Sequence, residues 1–303
     1  MTAYADHRLN VSAGLLSVGV ALVLVLLKLW AFAATGALSL AATLADSALD
    51  LAMSAGGLLA ILYAQRPADA EHAFGHSSAE DLTALAQAAL VAASGAAIGV
   101  AAVRRLLAPE APAIAAEGLG MAVLVVSMAL TLGLVLWQRR VVARTGNRVV
   151  AADSLHYLGD LLPALGALIA LGASAWGVTR VDAVVALGGA LFMGVASWRV
   201  ARGALDALMD RAAPREVIAG LEAIARTHPG VLGFHDLKTR MSGSRLFVNI
   251  HVELDGGQTL DEAHAIGASL RRAILRAYPR ADVLVHKDPA GVSRHPEDPR
   301  GAA

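Results

Sequence analysis

LADSALD (Leu44–Asp50) and ADSLHYLGD (Ala152–Asp160) each set an i,i+4 pair of ionisable residues, Asp46 with Asp50 and His156 with Asp160, inside an otherwise apolar run. On a helix, residues four apart share a face, so each stretch presents two ligating groups in one direction. The surrounding runs are long. A bilayer core about 30 Å thick needs roughly 20 apolar residues per helical span. Six segments meet that length: Val11–Thr35, Leu38–Tyr63, Leu82–Leu107, Ala115–Trp137, Val149–Trp176 and Val181–Arg199. With 56% hydrophobic and only 17% charged residues among 303, the chain is too apolar for a soluble domain of this size.

The membrane gives the paired residues their weight. An ionised Asp at the centre of a membrane helix costs about 2.5–3.5 kcal/mol, so three of them cost roughly 8–10 kcal/mol unless something offsets them. Counted from the outer end of the second span, Asp46 and Asp50 lie roughly 12 and 18 Å deep. Counted from the inner end of the fifth, His156 and Asp160 lie roughly 10 and 16 Å deep. The two pairs therefore meet near the midplane. One imidazole and three carboxylates close a tetrahedron around a d¹⁰ cation, which makes Zn²⁺ the leading ligand, with Cd²⁺, Fe²⁺ and Co²⁺ also accommodated. Mg²⁺ and Ca²⁺ prefer six or more oxygens. Metal must displace protons from the same groups, so protons are the expected counter-ion of an antiport with alternating access. The competing structural reading, polar residues lining a hydrated crevice, leaves two matched pairs at matched depth unexplained. Pro163 removes the backbone donor to the Gly159 carbonyl, and a kink is expected beside the ligands.

Topology follows from charge. The stretch QRRVVARTGNR (Gln138–Arg148) reads as a loop with four arginines, whereas the turns at Thr35–Ala37 and Pro109–Ala113 carry no positive charge. The arginine loop, and with it both chain termini, is expected in the cytoplasm. Trp30, Trp137, Trp176 and Trp198 fall near span ends, where indoles sit among headgroups. Lys28 is expected to snorkel to the outer interface. The domain plan is residues 1–10 as a cytoplasmic N-terminus, 11–210 as a six-transmembrane-helix bundle, 211–289 as a cytoplasmic domain, and 290–303 as a disordered tail.

Two further groups of candidate ligands lie outside the spans. Asp69, His72 and His76 cluster in the loop after the second span, and Ala73 after His72 rules out the general base of H-E-x-x-H. The C-terminal part reads as helix (Pro214–Thr227), strand (Val231–Thr239), strand (Arg245–Leu254), helix (Leu260–Ala277) and strand (Asp282–Lys287), an αββαβ order implying a small sheet with helices on one face. His235, His251, His264, His286 and Asp288 are spread over these elements as candidates for a zinc cluster. Cysteine is absent, so every metal site must be built from imidazole and carboxylate.

Together LADSALD, PADAEHAFGHSSAE (Pro67–Glu80), ADSLHYLGD, PGVLGFHDLKTR (Pro229–Arg240) and HKDP (His286–Pro289) resemble the cation diffusion facilitator family over nearly the whole chain, most closely its YiiP-type bacterial zinc/proton antiporters. The resemblance implies an inner-membrane, multi-pass efflux transporter working as a homodimer, with a ferredoxin- or metallochaperone-like C-terminal domain. It implies that Asp46, Asp50, His156 and Asp160 form the transport site and that Asp69, His72 and His76 form a loop site. His235, His251, His264, His286 and Asp288 would form a binuclear site whose last aspartate bridges two metals. Two positions depart from the pattern. Ser77-Ser78 stands where close members carry Gly-Lys, whose lysine pairs with an aspartate matching Asp210. Lys287 stands where a neutral amide is usual, and its charge is expected to weaken metal binding nearby.

Other functions fit less well. A net charge of zero and the lack of a basic stripe argue against nucleic acid as a partner. No nucleophile–base arrangement sits within a span, so an enzyme is not expected. A membrane-anchored zinc sensor without transport is the alternative, and it leaves the midplane carboxylates without a role.

Overall fold

The computed structural model describes residues 3–35, 38–107, 118–174 and 181–291. The turns at 36–37 and 109–113, Trp176 and nearly all of the tail lie outside them, as does the side chain of Pro163. The chain divides into two units, Tyr4–Leu205 and the part from Asp206 onward.

The first unit is helical: α1 (Ala3–Thr35), α2 (Leu38–Tyr63), α3 (Ser78–Leu107), α4 (Gly118–Thr145), α5 (Arg148–Ser174) and α6, Val181–Leu208, which carries the chain out of the unit. Among the described residues five of these, all but α5, are long and apolar enough to cross a membrane. Helix α5 has 27 residues and packs against α2, α3 and α4. Leu15, Leu26, Leu49, Leu59, Leu90, Leu132 and Leu191 are exposed on the unit's surface, as a protein solvated by hydrocarbon requires.

The ends of several helices differ from the sequence expectation. The arginine loop is mostly helix, because α4 runs on to Thr145. Gln138 and Val141 on this extension are buried, and Val141 packs with Ile61, Val149 and Val150. The apolar stripe therefore continues while Arg139 and Arg140 point outward. The remaining connection is Gly146, at φ +65°, and Asn147. The Asn147 side chain accepts from the Val150 N–H at 3.0 Å and so caps α5. Helix α3 begins at Ser78, with Glu80 and Asp81 in its first turn, where the helix dipole favours negative charge.

The second unit holds α7 (Arg215–Arg226), β1 (Gly233–Ser242), β2 (Arg245–Leu254), α8 (Leu260–Ala277) and β3 (Ala281–Pro289), the expected αββαβ order. The sheet order is β1-β2-β3, with β1 antiparallel and β3 parallel to β2. Alternation along β2 sends Leu246, Val248, Ile250, Val252 and Leu254 into a core shared with Leu221 of α7 and with Leu270 and Ile274 of α8. Phe247, His251 and Glu253 consequently belong to the opposite face. Strand β1 is displaced from the expected Val231–Thr239 and carries a bulge between His235 and Lys238, with Asp236 at φ +46°.

Candidate metal-binding sites

Asp50, His156 and Asp160 come together between α2 and α5, with one ligating atom from each lying within 4.8 Å of the others. His156 Nε2 is 2.8 Å from Asp50 Oδ1 and 3.7 Å from Asp160 Oδ2. Gly159, between the two α5 residues, has Met193 of α6 directly behind it; a Cβ there would lie 2.5 Å from Met193 Cε. The missing side chain lets α6 close the back of the site. In front lies a cavity of about 480 Å³, lined by Asp46, Asp50 and Asp160 with Lys28, Thr131 and Tyr157 among others. Asp46 faces the cavity but is not one of the three residues whose donors converge.

The sequence reading overlooked Asp153, another α5 acid. It is buried, and its carboxylate accepts hydrogen bonds from Ser17 of α1 and Gln138 of α4, both at 2.6 Å, and a longer one from Ser54 of α2 at 3.5 Å. Ser54 also bonds the Tyr157 hydroxyl at 2.8 Å. One carboxylate thus ties four helices together a turn below His156. The signal was available in ADSLHYLGD, where Asp153 is a further acid within the apolar run. Asp81 of α3 and Arg148 at the start of α5 form a further ion pair.

In the loop, His72 Nδ1 and His76 Nε2 approach the two oxygens of Asp69 at 3.3 and 3.2 Å. The His72 and Glu71 backbone N–H groups both donate to Asp69 Oδ1. The backbone N–H of His72, above all, holds this carboxyl below its ordinary value of 3.8, with smaller help from Glu71 and the two imidazoles. His76 is nearly buried and stacks edge-on against Tyr63, whereas His72 is half exposed.

On the sheet, strand register does the assembling. His235 pairs with His251, which pairs with His286, so three imidazoles form a row across β1, β2 and β3. Their ring centroids are 5.2 and 4.5 Å apart. Asp288 reaches His251 Nδ1 at 3.0 Å, His286 Nε2 at 3.2 Å and His235 Nε2 at 3.5 Å. Glu253 adds a carboxylate 3.1 Å from His235 Nδ1, another residue the sequence reading missed, though it lies two residues beyond His251 on the same strand face. His264 is exposed on α8, in the helical layer, and does not join the cluster.

Lys287 lies on the other face of β3 from the cluster. Alternation turns it to the helical side, where its stem lies against Gly267 of α8, while His286 and Asp288 face the other way. Its charge is directed away from the cluster. Asp210 bonds Arg240 at 3.0 Å, within its own unit.

Buried and half-buried Asp/His clusters within and beside a bundle of apolar helices define a membrane protein equipped to coordinate divalent cations. The model for the cation efflux transmembrane domain matches residues 14–209, and that for the cation efflux protein cytoplasmic domain matches residues 213–290. The cation-efflux pump FieF of Klebsiella pneumoniae subsp. pneumoniae is 39% identical over 285 residues, 94% of each chain. That of Pectobacterium carotovorum subsp. carotovorum is 40% identical over 294 residues, 97% of each chain. Among solved structures, the metal-bound C-terminal domain of the CzcD transporter from Thermotoga maritima aligns at 23% identity over 27% of this chain and 100% of its own, with a TM-score of 0.26. The chain belongs to the cation diffusion facilitator family, as a cation-efflux transporter of the FieF/YiiP type. It is a multi-pass inner-membrane transporter of divalent cations, not an enzyme.

Proposed function

We propose that this protein exports zinc from the cytoplasm in exchange for protons, using Asp50, His156 and Asp160, with Asp46 closing the coordination shell when metal binds. The observation that carries this reading is the convergence of those three donors within 4.8 Å beside a cavity inside apolar helices. A neutral imidazole and carboxylates suit zinc, and Cd²⁺, Fe²⁺ and Co²⁺ are the competing substrates. Protons compete for the same atoms, which couples the two fluxes. Rocking of α2 and α5 against their neighbours would expose the site to each side in turn. In this reading six helices span the bilayer, both termini are cytoplasmic, the protein works as a homodimer, and the loop and sheet clusters bind further zinc in the cytoplasm.

The test is transport in proteoliposomes under an imposed pH gradient, comparing zinc, cadmium, iron and cobalt uptake by wild type and Asp50→Ala while an internal dye follows protons. Zinc uptake with matching proton movement, abolished in Asp50→Ala, is expected. Equal zinc flux in both proteins, or proton flux indifferent to zinc, would overturn the reading.

A further inference from the structure

Lys28 of α1 is held by specific partners. It turns to α2, donating to Ser47 Oγ at 2.6 Å and to the Thr43 carbonyl at 3.2 Å. Ser47 is fully buried, and Lys28 lines the same cavity as Asp46, Asp50 and Asp160. Neither of its acceptors is an acid. The charge is therefore held in the cavity wall by neutral groups, and the carboxylates face the cavity without bonding it directly. A lysine within a span is costly unless its charge is balanced, and the three carboxylates of this cavity are the balancing groups on hand.

We propose that Lys28 is a fixed counter-cation of the transport cavity, which sets how tightly the carboxylates hold a divalent cation and so how readily they release it. The proposal rests on the reading of this cavity as the transport site. With the cavity empty, the ammonium offsets part of the negative charge. When a divalent cation enters, the two positive charges repel in surroundings of low dielectric, and the site holds its cargo less tightly than the carboxylates alone would. A carrier needs this compromise, because binding must be strong enough to load and weak enough to unload.

The experiment measures initial rates of zinc uptake against zinc concentration in proteoliposomes for wild type, Lys28→Gln, Lys28→Arg and Ser47→Ala, with Asp50→Ala alongside. Glutamine keeps a donor for Ser47 and Thr43 but removes the charge. KM is expected to fall about tenfold in Lys28→Gln, with kcat falling severalfold as release slows. Lys28→Arg and Ser47→Ala keep the charge and should stay within about threefold of the wild-type KM. An unchanged or raised KM in Lys28→Gln would overturn the proposal, as would Lys28→Arg behaving like Lys28→Gln. Should Lys28→Gln fail to fold, Ser47→Ala decides. A wild-type KM there supports a role for charge, and a raised KM marks Lys28 as a structural strap and ends the proposal. Asp50→Ala separates the two readings, since wild-type uptake in that variant removes the transport site itself. Loss of uptake in Asp50→Ala with an unmoved KM in Lys28→Gln removes only the role of Lys28.

Discussion

The cluster between α2 and α5 and the cluster on the β-sheet use the same two side-chain chemistries, and each draws three ligating atoms within 4.8 Å. They are assembled by different means. The intramembrane trio comes from helix periodicity, with Asp160 one turn after His156 and Asp50 meeting them from a second helix. The sheet trio is His235, His251 and Asp288: strand register sets His235 and His251 side by side, with His286 next in the row, and Asp288 reaches across it. Their surroundings differ too. His156 is buried among apolar helices, whereas His286 is well exposed to water. Idle acids are cheap in the second setting and costly in the first, so the first cluster argues more strongly for function.

The largest expected effect breaks the two clusters apart. Asp50→Ala should lower zinc uptake by 100-fold or more, while His251→Ala should leave uptake within about fivefold and remove zinc bound by the C-terminal domain. Uptake assays paired with calorimetric zinc titration of both variants check this, and equal losses of uptake would merge the two sites into one functional unit. Next comes the support of the membrane site. Asp153→Ala leaves Gln138 without its acceptor and Ser17 with Ser54 alone, and should cost about 2 kcal/mol, read as a lowered Tm in detergent, with Asp153→Asn losing less. A wild-type Tm would show that the four-helix tie carries no stability.

On the sheet side, Gly233→Ala would place a Cβ 2.7 Å from Glu253 Oε2 and push that flexible carboxylate off His235. Zinc affinity of the C-terminal domain should fall severalfold while its Tm changes little, and an unchanged affinity would exclude Glu253 from the site. The smallest effect concerns α8. Thr259→Ala removes the capping box and should cost about 1 kcal/mol. The Thr259 backbone N–H, and then its hydroxyl, hold the Glu262 carboxyl below its ordinary 4.5. A carboxylate whose folded-state pKa is depressed lends stability above its unfolded value and loses it as pH falls through the folded one. The wild type should therefore lose stability as pH drops below about 4.5, and Thr259→Ala should lose less over that window, as acid-unfolding curves would record.

Much of the membrane site was legible because a helix converts spacing into direction. Asp46, Asp50, His156 and Asp160 could be placed on helix faces, and their depths compared, from residue counts alone. Strand register offers no such rule. Nothing in the spacing of His235, His251 and His286 foretold that three strands would align them, or that the bulge at Asp236 would adjust the first. His264 looked equivalent to its neighbours in composition, but its place on α8 puts it in the other layer. Lys287 is a related case, since alternation turns it away from the face that His286 and Asp288 share. The arginine stretch misled in the opposite direction, because charge suggested a loop where the buried Gln138 and Val141 prolong a helix.

The sequence by itself determined that the chain enters a membrane, that paired acids and a histidine share helix faces within its apolar runs, and that an αββαβ segment follows, because hydrophobic length and helical period are local properties. Tertiary structure alone decided which of those groups meet. It left Asp46 at the cavity wall, tied four helices through Asp153, turned Lys28 inward and lined three imidazoles across a sheet. Each of these outcomes depends on how separate elements pack, which no local period encodes.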